Sequence, residues 1–148
     1  MGESIRSVAR LFGRVMGVFR VRIRIASPSN PEVARELEAV VGTGSSYTLI
    51  PRTVAEELGI RPVRKMAARL ASGVRIVRDM GRAELSFDTL STPTWIVFGD
   101  PDDAVLLGAV TLQKLGLEVD PTTETLRPTE IYMLRAAWRR PDPVTPAA

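Results

Sequence analysis

The sequence predicts a mainly β domain carrying two short helices, and three stretches predict it. Phe19-Arg20-Val21-Arg22-Ile23-Arg24-Ile25 alternates apolar residues with arginine, the period of a half-buried strand. Trp95-Ile96-Val97-Phe98 is an unbroken apolar run suited to a central strand. Between them, Val40-Val41-Gly42-Thr43-Gly44-Ser45-Ser46-Tyr47-Thr48-Leu49-Ile50-Pro51 sends two β-favouring valines into a Gly-x-Gly turn and out into a helix start. Two glycines in so short a span let backbone approach backbone closely, which suits a site.

Composition limits the chemistry. At 148 residues and 45% hydrophobic, the chain suits one domain with a substantial core. It has no Cys and no His. That excludes thiol nucleophiles, disulfides, Ser-His-Asp triads and the usual zinc sites, leaving carboxylates, hydroxyls, Lys and Arg. Twenty basic against 17 acidic residues and 5% aromatics point away from nucleic acid, although the pI is about 9.9. The excess of arginine over lysine carries no functional reading.

Residues 1–15 form an N-terminal extension, 16–128 the domain, and 129–148 a C-terminal segment ending in a disordered tail. Over residues 1–18, Ile5, Val8, Leu11, Phe12 and Val15 recur at helical spacing with Arg6, Arg10 and Arg14 between them. Such a basic amphipathic helix is either a plain extension, the simpler reading, or a membrane-surface or partner helix. Arg14 interrupts any secretory core, and no run reaches the ~18–20 apolar residues of a membrane span, so the expected location is cytoplasmic.

After the first strand, Ser27-Pro28-Ser29-Asn30-Pro31 makes a break, and a second strand over about Ala34 to Val41 returns to the Gly-Thr-Gly turn. Pro51 suits the first turn of a helix near 51–58, with Gly59 closing it in the left-handed conformation. Val63 to Arg78 reads as two strands around Ala71-Ser72-Gly73, and Arg82 to Phe87 as a further strand. Gly99-Asp100-Pro101-Asp102-Asp103 is an acidic turn whose spacing lacks the calcium-loop pattern, so no metal is expected. Leu58-Gly59-Ile60 is echoed 57 residues later by Leu115-Gly116-Leu117, a hint of two related halves. Ile131-Tyr132-Met133-Leu134 suits an edge or interface strand.

The turn resembles the Asp-Thr-Gly-Ala/Ser signature of retropepsin-like (retroviral-type) aspartic proteases, with Thr43, Gly44 and Ser45 in place and Gly42 where that family has its catalytic aspartate. Val105-Leu106-Leu107-Gly108, followed by Leu112, Leu115-Gly116-Leu117 and Val119-Asp120-Pro121, resembles the family's apolar-apolar-Gly motif and trailing helix. The resemblance covers roughly residues 16 to 128. It implies a closed β-barrel with one active-site turn per subunit, a homodimer, and an extended peptide or protein substrate with no cofactor. It places Thr43 as the brace of the partner's turn, Ser45 against substrate, and Leu107 and Gly108 beside the site. Ala71, Ser72 and Gly73 fall where the family has its flap, an ordinary hairpin being the other reading.

In that family two aspartates at close range share one proton, one activating water and the other protonating the carbonyl. Gly42 removes both from a symmetric dimer at once, so the chain as written is expected to be silent as an endopeptidase. Asp100 and Asp102 lie in another turn, beyond the ~2.6–3.2 Å reach of proton transfer. Either a peptidase has lost one residue, or the chain is a natural non-catalytic peptide-binding or dimerisation module.

Overall fold

The computed structural model describes residues 19–133. The readings of residues 1–18 and of 134–148 lie outside the described residues. β1 (Phe19–Ala26) and β2 (Ala34–Val41) pair antiparallel, from Phe19↔Val41 to Ala26↔Ala34. The alternation of β1 holds: Ile23 and Ile25 are buried, while Arg20 and Arg22 each reach a glutamate of β2 at 3.2 Å. Solvated pairs of this kind are worth about 0–1 kcal/mol, against roughly 1.5–3 kcal/mol for burying each isoleucine, so the apolar face sets the register.

β3 (Thr48–Pro51) runs straight into helix α1 (Arg52–Glu57). Pro51 occupies the cap rather than the first turn, a shift of one position that still leaves its missing amide without consequence. Gly59 sits at φ 71° and the amides of Leu58, Gly59 and Ile60 close back on the carbonyls of α1.

β4 (Arg64–Arg69) and β5 (Arg75–Phe87) form a long hairpin with Gly73 at φ 89° in its tip. Here the structure corrects the sequence reading, because the strands expected over Val63–Arg78 and Arg82–Phe87 share one continuous β5. Gly81 lies within that strand. A Cβ there would fall within 2.9–3.0 Å of the Arg61 carbonyl oxygen, Ile60 and Phe98, so this glycine marks a close approach of neighbours rather than a strand end.

β6 (Leu90–Gly99) pairs antiparallel with β5 and parallel with β3, the central position expected of its apolar run. Pro93 precedes the β3 contact, where β6 has β5 on one side only and a missing amide interrupts no central ladder. β7 (Leu106–Leu107) leads into helix α2 (Ala109–Leu115), capped by Gly116 at φ 71°, then β8 (Leu117–Asp120) and β9 (Thr125–Pro128). Gly59 and Gly116 thus follow their helices in the same left-handed conformation.

The main sheet runs β1-β2-β7-β3-β6-β5-β4, and a further β1–β5 pairing at Ile25↔Leu85 brings it round on itself as a closed ring. Ile23, Ile50, Leu85, Ile96, Phe98 and Leu107 fill its interior, each 2% exposed or less. Beyond β9 the expected edge strand does not form among the described residues: Ile131, Tyr132 and Met133 are 73%, 98% and 81% exposed and pair with no strand, and Leu134 lies outside the described residues.

Candidate functional site

The Gly-Thr-Gly turn is held by a second segment about sixty residues further along. Val40 N–H donates to the Val105 carbonyl at 2.8 Å and Gly42 N–H to the Leu107 carbonyl at 3.2 Å. From the other side, the amides of Ala109 and Val110 donate to the carbonyls of Ser45 and Ser46 at 2.8 and 2.9 Å. β7 supplies the intervening contacts, parallel to β2 at Val41↔Leu107 and antiparallel to β3 at Leu49↔Leu106. The first amides of α2 are therefore satisfied by the turn itself.

Gly108 is what permits this interlock. A Cβ there would fall 2.5 Å from the Tyr47 carbonyl oxygen and meet its carbonyl carbon, backbone atoms that cannot swing aside. Within the turn, Ser45 N–H donates to the Gly42 carbonyl at 3.0 Å and Ser45 Oγ to the Tyr47 carbonyl at 2.8 Å, so the serine expected to face substrate also stiffens the loop. Gly42 is buried at the base of the turn, and Thr43 and Gly44 are exposed at its crest. The glycines with positive φ among the described residues are Gly59, Gly73 and Gly116, so the backbone at Gly42 is one that a residue with a side chain can adopt.

Under the turn lies a feature the sequence did not announce. Thr48 Oγ1 accepts the Gly108 N–H at 3.1 Å and shares a 2.7 Å hydrogen bond with Thr111 Oγ1, which shares another of 2.9 Å with Thr94 Oγ1. The three threonines are 0%, 0% and 3% exposed, and the hydroxyl chain joins β3, α2 and β6. No spacing links positions 48, 94 and 111; the available signal was that each is a hydroxyl residue set within apolar sequence.

The hairpin β4–β5 is tied to the site at its base. Arg78 reaches both oxygens of Asp100 at 3.1 Å, and Asp79 accepts from Arg52 at 2.6 Å and Lys65 at 2.9 Å. The Arg52 hydrogen bond first, then that of Lys65, holds the Asp79 carboxyl below its usual value. Ala71, Ser72 and Gly73 stand exposed at the tip, where the hydrogen bonds are local ones such as Gly73 N–H to the Leu70 carbonyl, and the structure does not bring them onto the turn. Asp100 is engaged by Arg78, and Asp103 Oδ2 accepts the Asp100 N–H at 2.7 Å, so both shape the loop before β7. Residues 40–51 and 104–108 contain no carboxylate. Among the described residues no group of three or more His, Cys, Asp or Glu gathers to hold a metal ion.

Residues 30–111, more than half of the chain, match the family described as aspartyl protease. The chain belongs to that family. Among solved structures, a retropepsin-like aspartic protease from Rickettsia conorii matches at 18% identity and a TM-score of 0.50, covering 70% of this chain and 76% of that one. The protease of simian foamy virus (mac) matches at 18% identity over 66% of this chain and 94% of its own, TM-score 0.47. The EIAV protease, solved with the inhibitor HBY-793, matches at 12% identity over 70% and 92%, TM-score 0.48. No curated relative matches the chain by sequence. The fold of this aspartyl protease family member is retropepsin-like, in keeping with the turn and the apolar-apolar-Gly segment.

Proposed function

We propose that the chain is one half of a retropepsin-like peptidase site, completed in a homodimer that brings two Gly-Thr-Gly turns together across a twofold axis. Gly42 stands at the position of the catalytic aspartate. The protein as it stands holds an extended peptide between the turns and the β4–β5 hairpin, acting as a flap, and does not hydrolyse it. The observation that carries this reading is the interlock of the turn with Val105–Gly108, which buries position 42 at the base and leaves Thr43 and Gly44 outward for a partner's turn. The exposed Ile131-Tyr132-Met133 segment, contiguous and apolar, suits the second strand-forming contact of such a dimer.

Chemistry follows from what position 42 lacks. A symmetric pair of carboxylates there would share one proton, letting one activate water while the other protonates the peptide carbonyl. With glycine in both copies neither acid nor base is present, and each such group is typically worth ~10²–10⁴ in rate. A natural non-catalytic binding module is the second reading, favoured by the lack of any carboxylate in residues 40–51.

The test is Gly42→Asp, which the backbone at 42 accommodates. The variant is expected to be dimeric by sedimentation and to cut members of a diverse peptide mixture, with a bell-shaped pH profile and sensitivity to an aspartic-protease transition-state inhibitor. A folded, dimeric Gly42→Asp protein that cuts nothing and binds no inhibitor leaves the binding module as the better account. A strict monomer at tens of micromolar removes the shared site altogether.

A further inference from the structure

We infer, resting on the peptide-binding reading above, that the β4–β5 hairpin selects acidic polypeptide: the extended chain taken by this site carries Asp or Glu flanking the bound segment. Residues 61–82 hold seven basic side chains and one acidic one, a net +6, in a chain whose net charge is +3, so the rest of the protein is net negative. Elsewhere in the described residues Arg20, Arg22, Arg35, Arg52 and Arg127 reach carboxylates, while Arg24 and Lys114 reach backbone carbonyls. In the hairpin segment, Lys65 has Asp79 and Arg78 has Asp100, whereas Arg61, Arg64, Arg69, Arg75 and Arg82 have no carboxylate partner among the described residues.

Two arrangements within the segment point to an anionic partner. Arg69 and Arg75 lie directly opposite each other in the strand register, a like-charge pair that weakens the hairpin by itself. Arg69 is steadied by the Gly73 carbonyl at 2.8 Å, and neither arginine meets an acid. Lower down, Arg64 and Arg82 take the Trp95 ring, with guanidinium carbons 5.9 and 5.0 Å from its centre, so both planar cations are held in place with donors left for a carboxylate.

The sheet says which polyanion fits. β4 is the last strand of the order and its outer edge has no neighbour, so its main-chain groups are available to an extended chain. Arg and Lys along that edge repel a second copy of the same basic strand. An acidic strand is the addition that such an edge still admits, with main-chain bonds for affinity and carboxylates on the arginines for selection. Neither a bilayer nor a nucleic acid makes use of a free strand edge in this way.

The experiment uses the full chain as it exists. Fluorescently labelled extended peptides with Glu, Gln or Lys flanks are titrated by polarisation, and the same pools are offered to the Gly42→Asp protein. Several exposed pairs at a few-fold each predict about tenfold tighter binding of Glu-flanked over Lys-flanked peptides at low salt, shrinking to about twofold near 0.5 M salt. Arg69→Gln with Arg75→Gln, which relieves a repulsion and should fold at least as well, is expected to lose most of the preference, whereas Arg22→Gln retains it. Glu preference without cutting by the Gly42→Asp protein upholds the inference and sinks the hydrolytic reading. Cutting or binding of all pools alike upholds the peptide reading and overturns the inference. Binding of no peptide by either protein overturns both. Tighter binding to phosphatidylglycerol vesicles or oligodeoxythymidine than to the Glu pool overturns the inference in favour of another polyanion.

Discussion

Thr111→Val offers the sharpest test of how the turn is supported. Valine keeps the shape of the side chain and removes one hydroxyl that is fully buried between Thr48 at 2.7 Å and Thr94 at 2.9 Å. Two hydrogen bonds are lost, each worth about 1 kcal/mol net, and Thr94 is left with a buried hydroxyl at a further cost of about 1–3 kcal/mol. Thr48 keeps its bond from the Gly108 amide. The expected loss is roughly 3–5 kcal/mol. At about 2.1 cal/mol/K of unfolding entropy per residue over 148 residues, that is a fall in Tm of about 10–16 °C. The assay is thermal unfolding by circular dichroism at fixed protein concentration, since a dimer of the kind proposed above would make Tm depend on it. The companion is the triple variant Thr48→Val, Thr94→Val, Thr111→Val. It leaves the Gly108 amide as the single unpaired group and is therefore expected to cost far less than the sum of the three single changes. A Thr111→Val protein within about 2 °C of the parent, or a triple variant equal to that sum, would refute the reasoning.

Gly108→Ala places a methyl group on the Tyr47 carbonyl, so the turn must shift; peptide binding by the parent chain and cutting by the Gly42→Asp protein are both expected to fall at least tenfold, measured by polarisation and mass spectrometry. The Asp79 carboxyl is held below its unfolded value of about 3.8, so the folded protein binds fewer protons there than the unfolded chain. Its contribution is present above that pH and lost as the pH falls through the lowered folded value. Asp79→Asn is thus expected to flatten the acid limb of Tm against pH below about 4, and an unchanged limb argues against the Arg52–Asp79–Lys65 cluster.

Much of the ring was legible because its strands carry their periodicity locally. The arginines of β1, the apolar run of β6 and the glycine after each helix are each decided within a few residues. The site was legible to the extent that its turn and its holding segment are short patterns of glycine beside aliphatic residues. What escaped was decided by contact across the chain. The continuity of β5 through Gly81 depends on the packing of that glycine against Ile60 and Phe98, which no local pattern reports. The pairing of β8 with β9 and the threonine chain depend on which side chains the closed sheet brings together. The role of Asp79 likewise depends on α1, which brings Arg52 to it from 27 residues away.

The interlock of β2 with β7 also dictates when the site can exist. Val41 must wait for Leu107, so on a ribosome the turn stays open until the chain has been made to beyond residue 107 and that stretch has cleared the exit tunnel. Until then the β1–β2 hairpin presents Val40 and Val41 along an uncovered edge, a template for pairing with other nascent chains. Synthesis from the amino end thus delivers the Gly-Thr-Gly turn first and its clasp late, and a message truncated between β3 and β7 yields a chain that holds the turn yet has no means of shaping it.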